Sequence, residues 1–299
     1  NTDQGTVHAD GPNGLIEFKN ASLAELRVSG DNTEISARDG RVTFVNPDGN
    51  VTAHLIQDAG PLVVGQVDAT GVSVRLEFED TDNLTIGNVI ATSDAFIRIL
   101  GGDISSANLT TIDTPLLKIG TVDGTIGSTN SLSTKAKRIE PAVVSEISKT
   151  VHISSTLLAD TLNIDEQWKV KSEFVLNSPA SSVIVEGLEQ FAGQDGVIQI
   201  FALNVTVPEG KKITSRQGTI LLSAGNSISL EKNAEIVASA NASPNTALGN
   251  VLIEVVPASS LNNCGFVANF DASLSAPPVQ CGPAGFTALP PTNFGLALG

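Results

Sequence analysis

The chain has 299 residues and a formal net charge of −15, from 17 basic against 32 acidic residues, so its surface would repel a nucleic-acid backbone and an anionic bilayer alike. Hydrophobic residues make up 41% and charged residues 16%, a balance that excludes the weakly hydrophobic, highly charged composition of disordered chains. Apolar runs such as Leu62-Val63-Val64 fall far short of the roughly 20 residues of a membrane-spanning helix, so no membrane insertion is expected.

The chain begins at Asn1 and contains no Met, as signal-peptide cleavage, or trimming, would leave it. From there on, short stretches alternating β-branched and polar residues are separated by Gly, Asn and Asp. No useful length shows the i, i+3, i+4, i+7 apolar pattern of a helix. A period then emerges. Leu62-Val63-Val64-Gly65-Gln66-Val67 is echoed by Leu84-Thr85-Ile86-Gly87-Asn88-Val89 after 22 residues and by Leu117-Lys118-Ile119-Gly120-Thr121-Val122 after a further 33, while Val74-Arg75-Leu76 matches Ile97-Arg98-Ile99 at 23. Further on, Gly196-Val197-Ile198-Gln199-Ile200 becomes Gly218-Thr219-Ile220-Leu221-Leu222 at 22, and the stretches Val205 to Ile213 and Ile228 to Ile236 correspond at 23.

A period near 22 with two or three strands in each suits one coil of a β-helix, whose strands stack about 4.8 Å apart on those of the coil before. Aliphatic residues would point inward and Gly, Asn or Asp would turn the corners. The expected fold is therefore all-β, a right-handed parallel β-helix (β-solenoid) with coils of about 22 residues; a β-sandwich is the structural alternative. Residues 1–131 are expected to form a first solenoid segment, 132–149 an irregular or short-helix junction with Pro141 as first helical residue, and 150–260 a second solenoid segment. A disulfide-closed region would follow at 261–286, then an extended tail at 287–299, a candidate donor strand. Cys264 and Cys281, in a Gly-, Pro- and Asn-rich stretch, are read as one disulfide of an oxidising compartment, which would stabilise by roughly 3 kcal/mol for a loop of that size; the alternative is two unpaired thiols.

Candidate chemistry is sparse. Asp80, Asp82 and Asp195 lie in turn-like contexts, where a carboxylate serves the turn before it serves catalysis, although Ca²⁺ held at such turns is conceivable. His8, His54 and His152 have neither metal-ligand spacing nor a nucleophile elbow nearby. No catalytic residue, resident metal or cofactor is expected. Glycan recognition normally uses aromatic faces; with no Tyr and Trp168 alone, Trp168 is expected to pack on a solenoid flank rather than to meet a sugar. Asn20, Asn50, Asn83, Asn108, Asn204 and Asn241 each begin an Asn-x-Ser/Thr sequence and are candidate glycosylation positions.

Arg41 to Val51, RVTFVNPDGNV, followed by GPLVVGQVDATGVSVRL, together with the phrases Val122 to Leu132 and Gly218 to Ala238, resembles filamentous-haemagglutinin-like exoproteins, the two-partner-secretion β-helix proteins of bacterial surfaces. The resemblance implies a β-helical fold and an extracellular or cell-surface location. Those adhesins are very long. A solenoid as short as this one fits a non-catalytic structural subunit that self-assembles into a fibre or surface layer, through homotypic contacts at the solenoid ends and along the tail at Leu289, Phe294, Leu296 and Leu298. An adhesin segment binding a host ligand, surface ligand or glycan through one face is the alternative reading. A polysaccharide lyase or hydrolase is the third.

Overall fold

A computed structural model describes residues 6–8, 15–19, 26–28, 34–36, 41–46, 50–55, 66–78, 83–128, 130–165, 168–191, 196–216, 218–238 and 250–256. Among them the regular structure is strand throughout, with no helix, and every strand pairing is parallel. One sheet system of 21 strands contains all but the two short strands Thr6–His8 and Glu34–Ser36, which pair with each other. The chain is a parallel β-solenoid, as its period implies.

Two columns of stacked strands run along the solenoid. The first climbs from Leu15–Lys19 through Arg41–Asn46 and residues 66–71 and 83–91, and on to 173–178, 196–202, 218–224 and finally Asn250–Val255. The second stacks Val51–Leu55, residues 73–78, 94–99, Leu116–Thr121, Arg138–Pro141, Thr161–Ile164, then 182–185 and 204–207. Long strands such as Gln66–Phe78 serve both columns in turn, with a register shift between Gly71 and Ser73 where the chain bends. From Trp168 a third column joins them, formed by residues 168–170, Gly187–Gln190, Lys212–Ser215 and Glu235–Ala238.

Alternation sets the core. In a strand successive side chains face opposite sides, and Arg138–Pro141 or Thr161–Ile164 show it as alternating half-buried and buried residues. Stacked coils bring like residues together: Val151, Phe174, Ile198 and Ile220 follow one another up the first column, and Ala95, Leu117, Ile139 and Ile164 up the second, all fully buried. Each such aliphatic side chain contributes about 1.5–3 kcal/mol of transfer free energy. Parallel stacking also satisfies the backbone of each coil from the coils on either side.

Register is pinned at the corners. Gly196 pairs with Gly218, and a Cβ on Gly218 would sit 1.6 Å from the Gly196 carbonyl oxygen, so only glycine allows the coils to approach there. Gly210 has φ +69° and open space around its Cβ position; in the next coil, 23 residues on, Asn233 holds the same turn at φ 60°. Asparagine is the non-glycine residue that best tolerates this left-handed conformation. Gly210→Ala is therefore expected to cost about 1 kcal/mol and Gly210→Asn a few tenths, measured by urea unfolding.

Residues 132–149 correct two sequence expectations. No helix starts at Pro141, which instead ends the strand Arg138–Pro141 and pairs with Ile119; its missing N–H is no loss at the end of a ladder, and Ala142 N–H resumes bonding to Ile119 O at 3.0 Å. Nor is the solenoid interrupted there. Leu132–Thr134 stacks on Ser148–Ser155, and Leu117 keeps 22-residue spacing to both Ala95 and Ile139. What lengthens this coil is a turn over 142–147, closed by Glu146 N–H to Val143 O.

Candidate functional site: outer faces and open end

At the solenoid corners polar side chains bond to the backbone of neighbouring coils. Asn83 Oδ1 accepts from Asp103 N–H at 3.0 Å, Asp103 Oδ1 from Thr125 N–H at 2.8 Å, and Asp68 Oδ1 from Asn88 N–H at 2.7 Å. Each carboxylate or amide thus caps the backbone one coil further on, which is turn chemistry. Asp80, Asp82 and Asp195 lie outside the described residues. Among the described residues no three His, Cys, Asp or Glu side chains gather as a cation site. His152 faces Glu173, Nε2 to Oε2 3.0 Å.

On the outer side of the second column the charged residues form ladders. Arg75 pairs with Glu77 at 2.9 Å, Glu77 with Arg98 at 2.6 Å, and Arg98 with Glu146, which the turn over 142–147 folds back across the coils. Higher up, Lys118 meets Glu140 at 3.2 Å, and Arg138 gathers Glu140 at 2.6 Å, Glu186 at 3.2 Å and Asp165. Burial opposes ionisation of Glu77 and Glu140, but hydrogen bonds and charge from Arg75 and Arg98, and from Arg138 and Lys118, outweigh it and hold both carboxyls below the usual range. The hydrogen bond from Lys137 likewise lowers Asp160. The basic cluster at residues 135–138 is therefore engaged with acids of neighbouring coils, including Lys135 with Asp113 at 3.0 Å.

Trp168 lies inside rather than on a flank. It is 1% exposed, its Nε1–H donates to Ile139 O at 3.1 Å, and its ring meets Phe174 edge-on at 5.8 Å. No sugar can reach it. Of the outward rings, Phe96 is covered by the Arg75 guanidinium at 4.0 Å, and Phe191 lies between Arg216 at 4.5 Å and Lys169 at 5.3 Å.

Among the glycosylation candidates, Asn50, Asn83 and Asn108 are exposed at turns or strand starts. Asn204 is half-buried within a polar ladder: its Nδ2 donates to Ser182 Oγ at 2.9 Å and its Oδ1 accepts from Asn226 and Ser227. The nitrogen that a glycan would occupy is thus already a stacking contact. Asn20 and Asn241, the cysteines Cys264 and Cys281, and the tail residues Leu289, Phe294, Leu296 and Leu298 lie outside the described residues.

What sequence reasoning missed is the last described rung. Val251 and Ile253 stack on Ile220 and Leu222, which are fully buried, yet are themselves 44% and 43% exposed; Val255, above Ala224, is 57% exposed. The interior columns surface here as an apolar cross-section beside a strand, Asn250–Val255, that pairs on one side only among the described residues. Its only sequence signal was the run Val251-Leu252-Ile253, indistinguishable from a covered strand. In comparisons with protein-family models, curated proteins and solved structures, nothing matches this chain, so the likeness to filamentous-haemagglutinin-like exoproteins rests on the phrases quoted above.

Proposed function

We propose that this chain is a non-catalytic, extracellular structural subunit, a right-handed parallel β-helix that associates with its own copies end to end into a fibre or surface layer. The observation that carries this reading is the open rung at Asn250–Val255, where inward-column residues reach solvent. A parallel strand edge flanked by apolar side chains accepts another parallel strand, and a second copy offers one at the other end of its stack, where Leu15–Lys19 pairs, among the described residues, with Arg41–Asn46 alone. Contact between two different ends is heterologous and does not close on itself, which yields filaments rather than rings. The paired charges on the outer side of the second column, and the cations over Phe96 and Phe191, favour a structural role over ligand capture. The acidic surface keeps lateral contacts between filaments weak at low salt.

The test is electron microscopy with sedimentation velocity on the purified chain. Fibres or lengthening rods are expected, and Ile253→Lys, which charges the open rung without disturbing the coils below, is expected to leave monomers with unchanged far-UV circular dichroism. A native chain that stays monomeric at every concentration and ionic strength sinks the reading.

A further inference from the structure

Ion pairs between neighbouring coils act across the same boundary as the backbone ladder, so they strengthen a stack without changing how it opens. Three pairs here reach further. Counted by their second-column strands, 94–99, Leu116–Thr121, Arg138–Pro141, Thr161–Ile164 and 182–185 stack in that order as coils one to five. Arg98, in coil one, holds Glu146 on the turn that follows the strand of coil three, with Nε 3.0 Å from both carboxylate oxygens. Asp123, just past the strand of coil two, pairs with Lys171, just past that of coil four. Arg138, in coil three, reaches Glu186, just past the strand of coil five, at 3.2 Å. The partners are 48 residues apart in each case (146 − 98, 171 − 123, 186 − 138). Between described residues the other charge pairs stay within a coil or join adjacent ones, as Lys118 with Glu140 and Lys212 with Glu235 do.

Two coil spacings are about 9.6 Å, so a tie that skips a coil needs long side chains and a clear path. Arg98 stacks on Gly120, which puts no side chain between it and the turn; a Cβ there would already stand 3.0 Å from the Ala142 Cβ. The three ties interlock. Running from coil one to three, two to four and three to five, they leave no boundary between coils one and five uncrossed, and the two inner boundaries are crossed twice. Arg98 and Glu146 are each 16% exposed, so solvent screens their pair little, whereas Asp123 and Lys171, 64% and 41% exposed, form the weakest tie. We propose that these ties make coils one to five a single opening unit, so that the stack through residues 94–186 opens together instead of fraying rung by rung. Coils outside it, joined to their neighbours alone, open separately. The inference does not rest on end-to-end assembly, since every tie lies within one chain.

Native-state hydrogen exchange of the full chain in sub-denaturing urea, read by mass spectrometry, tests it. Amides of 94–99, Leu116–Thr121, Arg138–Pro141 and Thr161–Ile164 should share one protection factor and one urea dependence, while those of Glu235–Ala238 exchange separately and faster. Protection that grades from coil to coil across the four strands overturns the proposal. A chain carrying Asp123→Asn, Glu146→Gln and Glu186→Gln neutralises one partner of each tie and spares the short-range pairs: Arg98 keeps Glu77, and Arg138 keeps Glu140 and Asp165. Asparagine also tolerates the φ of 61° at position 123. This chain should keep its far-UV circular dichroism while protection factors of the four strands spread at least tenfold; strands that still exchange together overturn the proposal. Glu146→Gln alone, the gentler change, should release only 94–99 from the common behaviour, and no release counts against it equally. Glu235→Gln removes an adjacent-coil pair with Lys212 and should leave the four strands together. A split in that variant too would mean that any lost charge loosens the block, which overturns the role given to the coil-skipping ties.

Discussion

Trp168→Ala should destabilise the solenoid by about 3–5 kcal/mol, the usual cost of emptying a large buried aromatic site. Three features place the effect in that range. The indole is 1% exposed, it packs edge-on against Phe174 in the first column, and its N–H reaches across to Ile139 O in the second. It thereby joins two sheets where the third column begins, and a cavity there cannot collapse without separating them. Trp168→Phe keeps most of the volume. Ile139 O retains the Asp165 N–H at 3.1 Å, so no buried carbonyl is orphaned and a cost of about 1–2 kcal/mol is expected. Because a stack couples mainly nearest neighbours, the alanine variant should also unfold in two phases by far-UV circular dichroism in urea, with the coils around residue 168 first. The native chain should show one blue-shifted tryptophan emission that moves red in the main transition. A loss below 1 kcal/mol for the alanine variant would mean that the indole does not join the sheets.

How well the sequence revealed this stack depends on which residues repeat. In the C-terminal coils the periods of 22 and 23 match the observed pairs Gly196 with Gly218, Val205 with Ile228 and Ile213 with Ile236. Corner residues recur there, and corners fix register. In the N-terminal coils the aliphatic phrases misled. Arg75 aligns with Arg98 at 23 in sequence but stacks on Phe96 at 21, so Arg98 faces Glu77 instead; Val67 stacks on Ile86, not on Val89; and Leu117 stacks on Ala95 rather than answering Leu84. The slip at Arg75, from Arg98 to Phe96, is of two residues and keeps every side chain on its own face, so alternation alone cannot register one strand on another; the slip at Val67 is of three, next to the register shift between Val67 and Ala69.

The same limit hid the outer-face chemistry. Residues 132–149 looked like a break because Lys135, Lys137 and Arg138 cluster in sequence, whereas, Glu140 beside Arg138 apart, their partners lie 22 to 48 residues away on other coils. Local reading cannot supply partners at that distance without knowing the register. Trp168 posed a different difficulty: Gln167 and Lys169 flank it in sequence as an exposed ring would be flanked, but in a strand the residue after an inward one, here Lys169, points outward and is polar for that reason.

Arg98→Met should cost about 2–3 kcal/mol at neutral pH, nearly as much as losing a core side chain. Arg98 donates to Glu77 at 2.6 Å and holds Glu146 with Nε at 3.0 Å from both carboxylate oxygens. The three side chains are only 14–16% exposed, so removing the cation leaves two poorly solvated carboxylates facing each other, the costly way to break a partly buried network. Arg98→Lys keeps the charge but loses the forked geometry and should recover about half. Acid acts through the same groups. With the Glu77 carboxyl held below its usual range, its contribution is fully present above the unfolded value of about 4.3 and is lost as pH falls through the lower folded value. Stability of the native chain should therefore drop steeply below about pH 4. Arg98→Met, in which only Arg75 still supports Glu77, should show a shallower acid limb, its advantage having already gone at neutral pH. Parallel acid limbs in urea midpoints of the two proteins would show that Arg98 does not hold Glu77 ionised, and the stitch between these coils would then have to lie in their backbone ladders alone.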